Sequence, residues 1–195
     1  MRKALLSILV TTLIFGSILV GYKMGLFSNL LLNYDIRRCE NKIEHKVKFS
    51  FEENAFEKER AFLKQYYEEK YGEYTREDIE ARPEAAELFK LQLGIDTYDI
   101  DGDGEHDILA YFQEHGLCGS HGCLFIIFRN DNGKYVNMFS PTGGGITAYD
   151  EMFILKSTDD KVHDIAFGNC PNLSIWRWDK QGQQYKHLKG EATYF

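Results

Sequence analysis

From residue 95 onward, the sequence is a series of short apolar or β-branched runs separated by turn-forming residues. The runs occur at 107–112, 124–129, 134–139, 152–156, 162–167, 173–178 and 184–188. Short polar segments join several of them, at 130–133, 157–160 and 179–182. Runs of this length are typical of strands. Strands joined by short turns pair antiparallel, because a parallel pair needs a long crossover. The pattern predicts an antiparallel β meander over residues 95–190.

The preceding segment, residues 50–94, has helical spacing instead. Ser50 and Glu53 form a capping-box pattern, and Gly72 is expected to end the first helix. A second start signal lies at Thr75, and Pro83 suits the first turn of a further helix. A helical segment at 50–94 followed by an antiparallel sheet at 95–190 predicts an α+β fold. Residues 50–195 are therefore predicted to form one globular domain.

The N-terminal stretch predicts attachment to a membrane. Residues 4–22 carry no charge and follow Arg2 and Lys3. As a helix they would measure roughly 28 Å, close to the hydrocarbon thickness of a bilayer. The run exceeds the usual core of a signal peptide, and no small-x-small cleavage site follows it. Residues 1–22 are predicted to be a transmembrane anchor, with a cleaved signal segment as the alternative, and residues 23–49 a stalk or linker.

The chain contains four cysteines, Cys39, Cys118, Cys123 and Cys170. An even number of cysteines behind an export-type N-terminus predicts two disulfides, for which three pairings exist. Cys118 and Cys123 enclose a loop with two glycines, which favours that pair and leaves Cys39 for Cys170. The predicted location is the cell envelope, with the C-terminal domain exported to the periplasm or the extracellular side.

Two alternatives would use these cysteines as thiolates in a reduced protein. A zinc site could form from Cys118, His121 and Cys123, completed by Cys170 or His163. A nucleophilic cysteine could act with His121 or His163 and with Asp164. The spacing is not that of a paired Cys-x-x-Cys zinc ribbon, and no family signature supports the nucleophile.

The sharpest chemical signal is the acidic segment at 99–107. In the numbering of a calcium-binding loop, side chains would be supplied from positions one, three, five and nine, and a backbone carbonyl from position seven. The corresponding residues are Asp99, Asp101, Asp103, Asp107 and, for the carbonyl, Glu105. Gly104 falls at position six, where a sharp turn is required. The segment predicts a structural calcium site.

The acidic segment departs from an EF-hand at position twelve, where Ala110 replaces the bidentate glutamate. The pattern Asp-x-Asp-Gly-Asp-Gly-x-x-Asp before a strand resembles the β-type calcium loops of integrin-like FG-GAP repeats. Together with Cys-Gly-x-x-Gly-Cys at 118–123, it resembles a set of exported bacterial proteins of unassigned function. The wider resemblance covers roughly residues 85–190 and implies fold and location more than activity.

The formal net charge of -7 argues against nucleic acid as a partner, since phosphate binding needs a basic surface. The favoured function is a non-enzymatic envelope domain, held by calcium and disulfides, that binds another envelope protein. Trp176 and Trp178 share one face of a strand, either as core or as an exposed binding platform. The alternative is a hydrolase of a cell-envelope polymer, for which the available carboxylates are Glu114, Asp150 and Asp164.

Overall fold

The computed structural model describes residues 36–120, 122–140, 145–148, 151–170 and 172–188. The predicted anchor at 1–22 and the first part of the predicted stalk lie outside these residues. Within the described ranges, no helix is both long and apolar enough to cross a membrane. Helices together with antiparallel strands confirm the predicted α+β class.

The strands form two antiparallel sheets. The first sheet contains β2 (Gln92–Tyr98), β3 (Asp107–Gln113), β4 (Cys118–Gly119), β5 (Gly122–Asp131), β6 (Lys134–Asn137) and β7 (Ile146–Ala148). The second sheet has the order β1 (Ile43–Lys46), β8 (Met152–Asp159), β9 (Val162–Asn169), β10 (Asn172–Asp179) and β11 (Gln184–His187). In the first sheet β5 pairs with β3, β4, β6 and β7, so the long central strand organises that sheet.

The helical part consists of one long helix, α1 (Glu57–Ala81), and two 3₁₀ segments, η1 (Pro83–Phe89) and η2 (His115–Leu117). Helix α1 runs through Gly72, so the two helices predicted there are one. A glycine costs a helix roughly 1 kcal/mol, whereas Tyr66 and Tyr67 on the preceding turns contribute to the core. Thr75 does not cap a new helix, because its hydroxyl bonds Tyr71 O (3.3 Å) and the Tyr67 hydroxyl (2.7 Å) within α1.

The predicted capping box does not start the helix. The backbone of Ser50 instead pairs with Ile95 of β2 in both directions, at 2.8 and 3.0 Å between N and O. Helix α1 begins at Glu57, after Phe56 with a left-handed backbone (φ 55°). The strand-like pairing of Ser50 thus displaces the helix start toward the C-terminus, because the same backbone groups cannot serve both structures.

The first sheet is buried on both faces, which explains the unbroken apolar run at 108–112 in β3. On one face, Phe125 contacts Phe167 of the second sheet, with ring centroids 5.4 Å apart. On the other face, Phe128 contacts Tyr66 of α1 at 4.8 Å. The layers therefore follow the order α1, first sheet, second sheet. Burial on both faces removes the alternation of apolar and polar residues that a half-exposed strand would show.

The outer face of the second sheet is covered by a segment that the sequence assigns to the stalk. Residues 36–40 are helical, and strand β1 pairs with β8. Cys39 is fully buried in a second apolar cluster with Phe153, Leu155, Ala166, Leu173 and Ile175. A disulfide from Cys39 to Cys170 fastens the segment to the sheet. From residue 36 onward, the segment is thus part of the packed body.

Candidate metal centre

The acidic segment is the loop of a hairpin. It connects β2 to β3, and Tyr98 pairs with Asp107 at its base. The sequence predicts this loop between the helical segment and the strand run at 107–112. In the structure a further strand, β2, comes before the loop. Gly102 and Gly104 have positive φ values of 70° and 94°, a backbone conformation that glycine adopts at little cost. The glycines thus allow the loop to curl back over the start of β3.

Asp107 is the buried anchor of the loop. Its side chain is fully shielded from solvent, and each oxygen accepts a 2.8 Å hydrogen bond from a backbone amide. One amide belongs to Ile100 in the loop and the other to Asn130 in β5. Burial raises the pKa of Asp107 to about 7, with the charges of Asp101 and Asp103 contributing and the two hydrogen bonds opposing the rise.

Asp99 and Asp101 complete a cluster with Asp107. One oxygen from each of the three carboxylates lies within 4.8 Å of the others. Asp99 accepts hydrogen bonds from the amides of Asp103 (3.1 Å) and Gly104 (3.0 Å), which hold its side chain over the loop. Burial, followed by the charge of Asp103, raises the pKa of Asp101. Like charges this close raise each other's pKa unless a cation lies among them.

Asp103 and Glu105 are exposed and lie outside this three-carboxylate cluster. Asp103 Oδ1 accepts a hydrogen bond from the Glu105 amide at 2.8 Å, which closes the tip of the loop. Of the predicted ligands, the structure therefore brings together the side chains of Asp99, Asp101 and Asp107. A set of oxygen donors on a short loop is suited to a hard cation.

The loop also reaches the second sheet, which no local sequence pattern indicates. Ile100 is fully buried, and its carbonyl accepts a 2.8 Å hydrogen bond from the amide of His163 at the start of β9. The ring of His163 contacts Tyr98 at the base of the hairpin, 5.7 Å between centroids. The N–H of Ile100 thus bonds Asp107 and the carbonyl of Ile100 bonds the second sheet, so this one residue connects the two.

Arg129 of β5 places a positive charge beside the cluster. Its Nε lies 4.0 Å from Asp101 Oδ2, and this charge lowers the pKa of Asp101 against the larger effect of burial. Arg129 follows Phe128 in an apolar run, so its position beside the loop could only be inferred once β3 and β5 were paired.

All four cysteines are disulfide-bonded, with the favoured pairing Cys39–Cys170 and Cys118–Cys123. The zinc and nucleophile alternatives both need a free thiolate, so the disulfides exclude them in this structure. Two disulfides in one chain indicate an oxidising, exported environment.

The two tryptophans of β10 belong to the core. Trp178 is buried and contacts Tyr185 of β11, with ring centroids 5.7 Å apart. Trp176 is partly buried and contacts Phe139 at 5.8 Å. The interpretation of this face as an exposed binding platform is therefore wrong, because residues that follow β6 cover it.

Comparisons with known proteins place no constraint on the chain. No family model, curated protein or solved structure matches it. The resemblance to FG-GAP calcium loops thus stays a prediction from the loop residues.

Proposed function

We propose that this chain is a calcium-binding, disulfide-stabilised and non-enzymatic domain of the cell envelope that binds another envelope protein. The observation that carries the proposal is the convergence of Asp99, Asp101 and Asp107 within 4.8 Å. Calcium accepts carboxylate and backbone oxygens in flexible geometry, whereas magnesium demands a near-ideal octahedron and retains several waters. A loop of alternating aspartates and glycines supplies the flexible set of oxygen ligands that calcium accepts.

A structural role for the cation is supported by the connections of the three carboxylates. Asp107 binds backbone amides from the loop and from β5, and Ile100 binds β9 of the second sheet. A cation among the carboxylates would neutralise their repulsion and hold the hairpin against both neighbouring elements. Because the ligand set is assembled only in the folded chain, binding would stabilise the folded state by mass action.

The test is thermal unfolding of the full chain in calcium, in magnesium and in chelator. Calcium is expected to raise the melting temperature and chelator to lower it, with a smaller response to magnesium. Asp101→Asn is expected to abolish the calcium response, because it removes a cluster charge. Glu105→Gln is the matched control: its side chain is exposed and outside the cluster, so the response should remain.

An equal melting temperature in calcium and chelator would contradict the calcium site. A loss of the response in Glu105→Gln as large as in Asp101→Asn would instead show that only the total loop charge matters. The melt should be recorded under non-reducing conditions, so that both disulfides stay intact.

The proposed location is the envelope, with residues 1–22 as a membrane anchor and the described body on the exported side. The two disulfides support export. Protease added to intact cells or spheroplasts should digest the body while the anchor stays with the membrane fraction. If the protease digests the body only after the cells are lysed, the body lies on the cytoplasmic side and this orientation is contradicted. Crosslinking on the same cells would then identify the envelope partner.

No observation favours the alternative of an envelope-polymer hydrolase. A general acid/base pair needs two carboxylates facing one reacting bond. Asp164 is buried and binds the guanidinium of Arg177 at 2.9 Å and the Ser157 hydroxyl at 2.7 Å. Its charge is thus balanced within the second sheet, and Asp150 lies outside the described residues. Glu114 follows β3 and accepts a hydrogen bond from Gly116, and in the described residues it is not paired with either of the other two predicted carboxylates.

A further inference from the structure

A cavity of about 320 Å³ lies between helix α1 and the connection from β3 to β4. The residues that define its chemistry are Tyr71, Tyr74, Thr75, Asp78, Glu114 and Gly116. The four from α1 have the spacing i, i+3, i+4 and i+7, which brings them to one face of the helix. The volume is within the range of sites for small molecules.

Glu114 is the buried charge of this cavity. It is only 3% exposed, and its Oε1 accepts a 2.9 Å hydrogen bond from the amide of Gly116. Within the described part of the chain, Oε2 has no hydrogen-bond donor. A Cβ at Gly116 would lie 3.2 Å from Oε2, so glycine at this position leaves the carboxylate uncovered. No buried side-chain oxygen or nitrogen of the described residues lacks a partner, so Oε2 keeps contact with solvent and is open to a ligand in the cavity.

Two tyrosine rings line the same space. Tyr71 is held by Tyr66 and Tyr67, with ring centroids 6.4 and 6.0 Å away. Tyr74 is 71% exposed, an unusual position for a large aromatic side chain. The faces of such rings attract cations, most strongly where the cation is partly desolvated. The cavity thus combines a fixed ring, an exposed ring and a buried carboxylate.

The charge of the lining is negative. The described lining residues include Asp78 and Glu114 but no Lys, Arg or His. Asp78 Oδ1 is 3.5 Å from Arg82 outside the cavity, and both side chains are about half exposed (48% and 53%). An exposed pair of this kind contributes little energy and is easily rearranged. Asp78 therefore remains available to a second cation.

We propose that this cavity binds a small organic ammonium ion. Glu114 and Asp78 pair with the positive charge, and the rings of Tyr71 and Tyr74 contact the carbon atoms attached to nitrogen. A metal ion is disfavoured here, because the one described cluster of three carboxylates with metal-like spacing is in the acidic loop and includes neither acid. No residue of the proposed calcium site is involved, so each proposal can fail without the other.

The experiment is calorimetric titration of the full, oxidised chain in calcium. The probes are choline, as a quaternary ammonium, ethanolamine, as a primary one, and 3,3-dimethylbutan-1-ol, the neutral isostere of choline. Saturable binding of choline or ethanolamine, without binding of the isostere, is the expected result. Glu114→Gln and Tyr74→Leu should each raise the Kd of the bound ammonium about tenfold, because each removes one recognition element.

The control variant is Glu87→Gln, which removes a charge from a neighbouring cavity that Glu114 also lines. It should change the Kd by less than about twofold, since Glu87 is exposed and does not line the proposed site, and salt screens exposed charges. Tyr74→Leu alters an exposed side chain, so it tests the site even if Glu114→Gln fails to fold. Equal binding of the isostere, an unchanged Kd in both cavity variants, or no saturable binding of either ammonium would overturn the proposal.

Discussion

Strand β3 has a buried carboxylate at each end. Asp107 is its first residue, and Glu114 follows its last residue directly. Both are almost fully shielded, at 0% and 3% exposure. The two oxygens of Asp107 bind amides of two other segments, at Ile100 and Asn130. Glu114 binds one amide, that of Gly116 in its own turn.

The difference shows that burial alone does not decide what a carboxylate does. At the Asp107 end, the hydrogen bonds cross from one element to another, so the carboxylate contributes to holding the fold together. At the Glu114 end, the hydrogen bond is local and one oxygen is left for a ligand. We therefore expect substitutions at the first end to change stability and substitutions at the second end to change binding.

Replacement of Asp107 by Ala should give the largest loss. It leaves the amides of Ile100 and Asn130 without an acceptor, and each unsatisfied buried group costs about 1–3 kcal/mol. We expect the free energy of unfolding to fall by about 3 kcal/mol or more, measured by urea denaturation in chelator. A loss below about 1 kcal/mol would show that the two amides find other acceptors. The carboxylate at the Asp107 end would then contribute as little to stability as the one at the Glu114 end.

Removal of the Cys118–Cys123 disulfide tests the Glu114 end without touching the carboxylate. This cystine joins β4 to β5 directly after η2 and closes a short loop. The chain-entropy model assigns about 2 kcal/mol to such a small loop, so Cys118→Ser with Cys123→Ser should lower stability by about that amount. The calcium-induced rise in melting temperature should be unchanged, since the acidic loop is at the opposite end of β3. A lost calcium response would show that the two ends are coupled.

The calcium response should depend on pH. In chelator, the folded-state pKa of Asp107 is raised to about 7 by burial, above the unfolded value of about 3.9. The folded state therefore binds more protons, and the stability from this group is lost as pH rises from about 4 through 7. Calcium favours the ionised carboxylate and competes with protons. The difference in melting temperature between calcium and chelator should widen from about pH 5 to pH 8; a constant difference would contradict a role for Asp107.

Glu114→Gln should have the smallest effect on stability. The amide oxygen of glutamine can accept the hydrogen bond from Gly116, and the second oxygen of Glu114 has no hydrogen bond from the described residues that could be lost. We expect the free energy of unfolding to change by less than about 1 kcal/mol in urea denaturation. A loss comparable to that of Asp107→Ala would mean that Glu114 also serves the fold, and the contrast between the two ends would not hold.

Local features of the fold were predictable because short-range geometry determines them. The strand runs, the polar turns and the acidic loop are each set by a few neighbouring residues. The cysteine pairing followed from the small glycine loop at 118–123. The helix boundaries were less predictable: the pattern at Ser50 suits a cap, but a long-range pairing with Ile95 uses its backbone.

The division into two sheets and the role of residues 36–49 could not be inferred in the same way. Strand β1 and Cys39 lie in a segment without a clear period, and they are ordered by contact with β8 and Cys170, more than 100 residues away. In β3, burial on both faces erases the alternation that would have indicated a layered structure. No local sequence pattern thus indicated that the strands divide into two packed sheets.

For this chain, the sequence alone determined the α+β class, the cystines and the spacing of the aspartates in the loop. Only the tertiary structure decided which carboxylates converge, that Asp107 bonds to β5, and that Glu114 opens onto a cavity beside α1. The physical reason is the sequence separation between the residues that determine each feature. Turns and ligand spacing depend on neighbours a few residues apart, whereas burial and convergence depend on which distant strands and helices pack together.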